Sequence, residues 1–297
     1  MKRRGWRLWM PPDARSLIRA AVPTVASDTP RLDAELLLAH VLQESRGDML
    51  VRNPAVAPAD AARFEALLAR RRAHEPIAYI LGQQEFWSLN FRVTPDVLIP
   101  RADSETLIEA AVARLQGRPP ARILDLGTGS GALLLAALSQ WPQARGVGVD
   151  RSFAAVAVAR GNARSLGFAE RASFAVGKWA DAVRGPFDLI LCNPPYIEEA
   201  AVLMPDVADF EPAGALFAGP DGLADYRLLF PDVARLLTHH GLAMFEFGAG
   251  QEAALVPMAE ALGFATGLHR DIAGRPRALA LFLGAGLSGL GKAGASG

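Results

Sequence analysis

Ile123-Leu124-Asp125-Leu126-Gly127-Thr128-Gly129-Ser130-Gly131 runs from a short buried strand straight into three alternating glycines. An apolar helical stretch, Ala132 to Gln140, follows at once. Working outward, Val147-Gly148-Val149-Asp150 reads as a second strand. Ser152 is placed to cap a helix reaching about Leu166. A third strand is expected near Ala172 to Val176, and a fourth at Phe187 to Cys192. Beyond them come a helix near Ala224 to Leu237, a strand at Leu242 to Phe247 and a helix from Gln251 to Leu262. Two end strands, Thr266 to His269 and Ala278 to Leu283, complete the pattern. Strand and helix alternating in this way imply an α/β chain with a doubly wound, mostly parallel sheet.

Glycines between a strand and a helix let a ligand approach the backbone closely. Asp150 ends the next strand, about 20 residues after the loop, where a carboxylate can take ribose hydroxyls. The tight Gly127-Thr128-Gly129-Ser130-Gly131 spacing differs from the Gly-x-Gly-x-x-Gly of dinucleotide sites. Asp125 just before it disfavours a pyrophosphate and suits a cationic amino group. S-adenosylmethionine has that amino group, a ribose and no phosphate.

The fourth strand runs into Cys192-Asn193-Pro194-Pro195-Tyr196. Two prolines stop a ladder and hold Asn193 on stiff backbone, at the sheet edge where open α/β folds bind ligands. Asn offers one acceptor and one NH2 donor, and the prolines offer carbonyls without N–H groups. Such a corner can grip a planar NH2 group by both hydrogens. The plainer reading is a loop start, since Asn and Pro are common turn residues.

The N-terminal part differs. Residues 13 to about 75 show helical stripes at Leu17, Ile18 and Val22, at Leu32, Leu36, Leu37 and Val41, and at Phe64, Leu67 and Leu68, the last after a cap at Asp60. Arg70-Arg71-Arg72 reads as a solvated basic helix end, with contact to nucleic acid or an acidic partner as the sharper alternative. Glu75 to Gly82 reads as a connector, and Glu85 to Val93 as a strand forming one arm of a hairpin. Phe86 and Trp87 are expected to pack between domains, and Asp103 or Ser104 to cap a helix from Thr106 to Leu115. Glu105, Glu211 and Asp221 are weighed as catalytic helpers against plain roles at a helix start or turn. His239, His240 and His269 lack metal-ligand spacing and are expected at the surface.

Formal net charge is zero across 297 residues, unlike a uniformly basic nucleic-acid binder. The single cysteine, Cys192, permits no internal disulfide and is expected to be a packed thiol. No stretch approaches the roughly 20 apolar residues of a membrane span. A soluble, cytoplasmic, monomeric protein without metal is expected.

The sequence resembles the protein-(glutamine-N5) methyltransferases of class 1 peptide release factors, the PrmC/HemK family. The resemblance rests on Pro76-Ile77-Ala78-Tyr79-Ile80-Leu81-Gly82, Glu85-Phe86-Trp87, Leu98-Ile99-Pro100-Arg101, Asp125 to Gly131 and Asn193 to Tyr196. Phe210-Glu211-Pro212, Leu216 to Leu223 and Gly274-Arg275-Pro276-Arg277 extend it. It implies a class I, Rossmann-like sheet of seven strands, S-adenosylmethionine as methyl donor and S-adenosylhomocysteine as product. The donor would lie on Gly127, Thr128, Gly129, Ser130, Gly131, Asp150 and Trp179, with Asn193 beside it. The substrate clamp would be Asn193, Pro194, Pro195 and Tyr196, with Asn193, Pro194 and Tyr196 catalytic. The substrate would be the glutamine of the release factor's Gly-Gly-Gln motif, with no nucleic acid and no membrane as partner. The implied organisation is an extension at 1–12, a helical recognition domain at 13–82, a β-hairpin linker at 83–100, the catalytic domain at 101–284 and a flexible tail at 285–297. Ala102 and Phe247 stand where the family usually has Pro and His.

Three other readings use the same residues. One is glutamine methylation of a ribosomal protein. Another is adenine-N6 or guanine-N2 methylation of nucleic acid, whose target is also a planar NH2. The last is a scaffold that binds the donor without catalysis.

Overall fold

The computed structural model describes residues 11–181 and 183–283. The glycine-rich tail and all but Pro11 and Pro12 of the N-terminal extension lie outside the described residues. The chain divides into two compact units, one of residues 1–82 with 204–210, the other of 83–203 with 211–297.

The first unit is helical: α1 (Ala14–Ala21), α2 (Pro30–Leu42), α3 (Arg46–Arg52), α4 (Pro58–Arg72) and α5 (Ile77–Leu81). Its core gathers Ile18, Leu37, Leu38, Met49, Phe64 and Leu68. The expected second stripe is rotated, because Leu38 is buried while Leu32 is exposed. α3 was not expected: Ser45 caps it, and it buries only Met49. Pro58 starts α4 after Ala57, so Asp60 sits inside the first turn and pairs with Arg63 instead of capping. The segment read as a connector closes as α5, ended by Gly82 at φ 71°.

The arginine run is a solvated end only in part: Arg70 is exposed and Arg72 half-buried, but Arg71 is not. Arg71 is 7% exposed and donates to Asp33 at 2.8 Å. Arg70 pairs with Glu75 and Arg72 with Glu65. A helix end tied down by three internal pairs offers little to a phosphate backbone.

The second unit opens with a hairpin, β1 (Gln83–Phe86) and β2 (Leu89–Arg92). The strand expected over 85–93 is therefore broken at Trp87-Ser88, both at positive φ (54° and 58°), a turn twisted to suit a hairpin. Phe86 meets Phe91 edge-on inside this unit's own core, and Trp87 packs against the same core. Seven strands then form one sheet: β3 (Arg122–Leu126), β4 (Arg145–Asp150), β5 (Ala172–Val176), β6 (Phe187–Cys192), β7 (Leu237–Glu246), β8 (Phe264–Arg270) and β9 (Pro276–Leu283). Their spatial order is β5-β4-β3-β6-β7-β9-β8, parallel except that β9 runs antiparallel to both its neighbours.

Alternation along the strands supplies two cores. Ile123, Leu189 and Leu191 face α6 (Glu105–Arg114), α7 (Ala132–Gln140) and α8 (Phe153–Ser165). Leu124, Ile190 and the free thiol of Cys192 face α10 (Ala224–Leu236) and α11 (Glu252–Glu260). A short helix, α9 (Pro205–Ala208), belongs to the segment grouped with the first unit. Apolar positions from Ala132 to Leu138 are buried all round α7, which explains a helix with almost no polar face. Among the described residues no helix is long and apolar enough to cross a membrane.

Candidate functional site

The order β4-β3-β6 reverses the chain direction of travel at β3, and the loops after β3 and β6 open a crevice there. It holds a cavity of about 390 Å³, within the range of small-molecule sites. Gly127, Thr128, Gly129, Ser130, Asp150, Trp179 and Asn193 all line it. Gly131 lies behind the loop, where an added Cβ would come within 3.3 Å of Ala159.

The loop is held from behind. Gly127 and Thr128 both donate their backbone N–H to the Val149 carbonyl at 2.9 Å. Asn162, buried in α8, donates to the Ser130 carbonyl at 2.8 Å and also to that of Arg92. Asp150 accepts the Gly129 N–H on Oδ2 at 2.9 Å and the Ser152 N–H on Oδ1 at 2.8 Å. Gly129 has φ 53°, and a Cβ there would meet nothing within 4 Å, so the backbone itself forms the cavity wall. The Trp179 ring covers Gly127, and its Nε1 donates to Asp225 at 3.2 Å. Arg151 spans the crevice edge, donating to the Gly214 carbonyl at 3.0 Å.

Asp125 departs from expectation. It is completely buried beneath the loop and does not line the cavity. The Thr128 hydroxyl donates to its Oδ2 at 2.6 Å, and the backbone N–H of Leu134, at the start of α7, also favours the carboxylate. Burial raises its pKa from 3.8 to about 7 against the Thr128 hydrogen bond.

At the other wall stands the Asn-Pro-Pro-Tyr corner. Asn193 and Pro195 line the cavity, and Pro194 and Tyr196 do not. Asn193 Nδ2 donates to Ser104 Oγ at 3.2 Å. Ser104 in turn donates to Glu246 Oε2, so it faces the crevice and does not cap α6. Tyr196 donates its hydroxyl to Glu246 Oε1 at 3.1 Å. Register explains the meeting: Cys192 pairs with Phe245, which sets Glu246 beside Asn193. Glu246 is fully buried, and burial raises its pKa although the Ser104 hydrogen bond and Arg277 oppose it. Burial, then the Glu246 charge, pushes the Tyr196 phenol well above its usual value, so it stays a donor. Gln251 fixes the corner's backbone, donating to the Tyr196 carbonyl at 2.9 Å. A Cβ on Gly222 would sit 2.3 Å from that same carbonyl, which explains the glycine.

Two of the separate sequence pieces join here. Glu211 pairs with Arg101 and accepts the Ile99 N–H at 3.3 Å. Leu98, Pro100 and Arg101 line the cavity with Pro212.

Comparison with known proteins agrees with this geometry. Residues 13–82 match the model of the PrmC N-terminal domain, and 119–246 match a methyltransferase domain. A release factor glutamine methyltransferase of Rhodospirillum rubrum is 47% identical over 256 residues, covering 85% of this chain and 78% of that protein. The one from Cereibacter sphaeroides is 42% identical, covering 89% and 96%. The chain belongs to the release factor glutamine methyltransferase family. Among solved structures, the catalytic domain of hMettl16 in complex with a MAT2A 3′UTR hairpin superposes with a TM-score of 0.53. It is 14% identical over 76% of this chain and 82% of that one, a likeness of fold alone.

For a release factor glutamine methyltransferase, the expected helpers fall elsewhere than the clamp. Glu105 accepts the Trp87 N–H, Glu211 holds Arg101, and Asp221 pairs with Arg227 on the surface. His269 is half-buried against Arg114, and burial lowers its pKa to about 4. No group of residues suited to a metal occurs among the described residues. The residues missed in the sequence were Ser104 and Glu246. The available signal was an acid ending an otherwise apolar strand, Leu242 to Glu246, next to the strand that carries Asn193.

Proposed function

We propose that this protein transfers the methyl group of S-adenosylmethionine to the side-chain amide N5 of glutamine in the Gly-Gly-Gln motif of class 1 release factors. The observation that carries the reading is the direction of the Asn193 carboxamide. Its NH2 is engaged by Ser104, which leaves Oδ1 as an acceptor at the wall of the donor cavity.

The cavity suits this donor. Asp150 is positioned by two backbone amides and retains lone pairs for ribose hydroxyls. Trp179 and Asp225 border the cavity beside Gly127, where an aromatic face and an acceptor suit adenine. Gly127, Thr128, Gly129 and Ser130 give backbone access to the cavity. When bound, the donor supplies an electrophilic methyl: the glutamine nitrogen forms the new N–C bond, sulfur keeps the electrons of the broken S–C bond, and one N–H proton then leaves to water to give the neutral N-methyl amide.

An amide nitrogen is a poor nucleophile because its lone pair is delocalised into the carbonyl. Asn193 Oδ1 and the Pro194 carbonyl would take its two hydrogens and aim the nitrogen at the methyl. Near-attack positioning of this kind contributes on the order of 7–11 kcal/mol. The two acceptor dipoles also stabilise positive charge developing on nitrogen. The neutral Tyr196 hydroxyl, held by Glu246, keeps the corner rigid. In this reading residues 13–82 engage the release factor, 83–100 form the linker hairpin and 101–284 the catalytic domain, and the substrate sets the location as cytoplasmic.

The test offers labelled S-adenosylmethionine with purified release factor, with the same factor carrying Ala for its Gly-Gly-Gln glutamine, and with adenine-containing DNA. Label on the first alone supports the proposal; label on DNA refutes it. Asn193→Ala is expected to lower turnover at least 100-fold while donor affinity, measured by calorimetry, stays within about threefold. Unchanged turnover in that variant would remove the clamp.

A further inference from the structure

The corner that grips the substrate amide is built on a single buried carboxylate. Glu246 receives Tyr196 on one oxygen and Ser104 on the other. Ser104, its hydrogen committed to Glu246, presents only lone pairs to Asn193, and the Asn193 NH2 donates into them. The chain of donors has one direction, Asn193 to Ser104 to Glu246. It decides which end of a symmetric-looking carboxamide faces the cavity. A flipped Asn193 would bring two acceptors together at Ser104 and point an NH2 at the substrate's own NH2. Glu246 is 1% exposed and off the cavity, so water does not substitute for it, while Ser104, 4% exposed, stands between it and the cavity. Tyr226 donates to the Glu246 backbone carbonyl at 2.7 Å and fixes the post from behind.

We propose that Ser104 and Glu246 are positioning residues for methyl transfer: through a one-way hydrogen-bond chain they lock Asn193 with its oxygen toward the acceptor amide. This rests on the clamp reading of Asn193 given above. It goes further in assigning orientation to two residues that need not touch donor or substrate.

The test compares Ser104→Ala, Ser104→Thr and Glu246→Gln in the full chain. Ser104→Ala removes the acceptor, and kcat is expected to fall 10- to 100-fold with KM for donor within about twofold. Ser104→Thr restores the hydroxyl and is expected to return kcat to within about fivefold of the parent. Glu246→Gln replaces two acceptors by one acceptor and one donor, so either Tyr196 or Ser104 loses its partner, and a loss of about 10-fold is expected.

A second readout needs no turnover. The Asn193 side-chain NH2 pair, assigned in a nitrogen-15 correlation spectrum by its disappearance in Asn193→Asp, should shift in Ser104→Ala and return in Ser104→Thr. If the parent protein labels no release factor, the functional reading fails, and this spectrum alone still decides the orientation. An unmoved NH2 pair, or parental kcat in Ser104→Ala, overturns the proposal. Equal losses in Ser104→Ala and Ser104→Thr with weakened donor binding in both would show a merely structural role and overturn it too.

Discussion

Asp125→Asn offers a quantitative check on how the glycine loop is held. The carboxyl is completely buried, and burial raises its pKa from 3.8 to about 7 against hydrogen bonds from Thr128 and the Leu134 backbone. The folded state therefore holds this proton more tightly than the unfolded chain does. Between about pH 4 and pH 7 the folded form binds more protons, so its stability falls as pH rises through that window and is level above it. At about 1.4 kcal/mol per tenfold change in proton affinity, the rise is worth roughly 4 kcal/mol. Asn is neutral at every pH and keeps an oxygen for the Thr128 hydroxyl. Urea unfolding of parent and variant from pH 4 to pH 8 isolates this one group as a difference. The parent should lose about 4 kcal/mol relative to Asp125→Asn across the range, most of it before pH 7. Parallel curves, or a difference that grows toward low pH, would show that the carboxyl is not desolvated and refute the reasoning.

Two further predictions concern the loop surface and the helical unit. Gly129→Ala forces a side chain into the left-handed region, at roughly 1–2 kcal/mol, and stands a methyl group in the cavity wall; calorimetry should show donor affinity at least tenfold weaker, and parental affinity would mean the donor lies elsewhere. Arg71→Ala removes the ion-pair partner of the buried Asp33 and leaves it the Thr29 hydroxyl, and should cost about 3–5 kcal/mol, read as faster hydrogen exchange in α2 and α4. Replacing both Arg71 and Asp33 by Leu should recover most of that loss, and a single-variant cost under about 1 kcal/mol would show the pair to be solvated.

The readable parts of this chain are those where local chemistry meets no competitor. Ser152 caps α8 as expected, its hydroxyl accepting the Ala155 N–H three residues on, and α7 begins where the glycines stop. The cavity lining at Gly127 to Ser130, Asp150 and Asn193 was legible because strand ends and glycine spacing fix where a ligand can sit, whereas Trp179 came only through the family resemblance. Local rules failed where tertiary contacts took over. Ser104 looks like a cap but is claimed by Glu246, and Asp60 loses the cap to Pro58. Trp87-Ser88 carries no glycine to announce a turn, yet the hairpin forces both residues to positive φ. Arg71 gives no sign in sequence that its partner lies 38 residues earlier. Glu246 reads as a strand residue until the sheet register sets it beside Asn193.

The position of β9 bears on the order in which the protein can be made. Phe264–Arg270 leaves the ribosome before Pro276–Leu283, yet the later strand lies between it and β7. Until then β8 has no neighbour, and Leu242 to Glu246 lies as an open apolar edge, the kind that invites pairing with another chain. β8 therefore joins the sheet only with or after β9, whose Ala278 pairs with Glu246 on the side away from β6. A chain cut short after Arg275 would lose more than an edge. It would carry a complete donor loop and the Asn-Pro-Pro-Tyr corner, with the carboxylate beneath that corner left on an unfinished sheet.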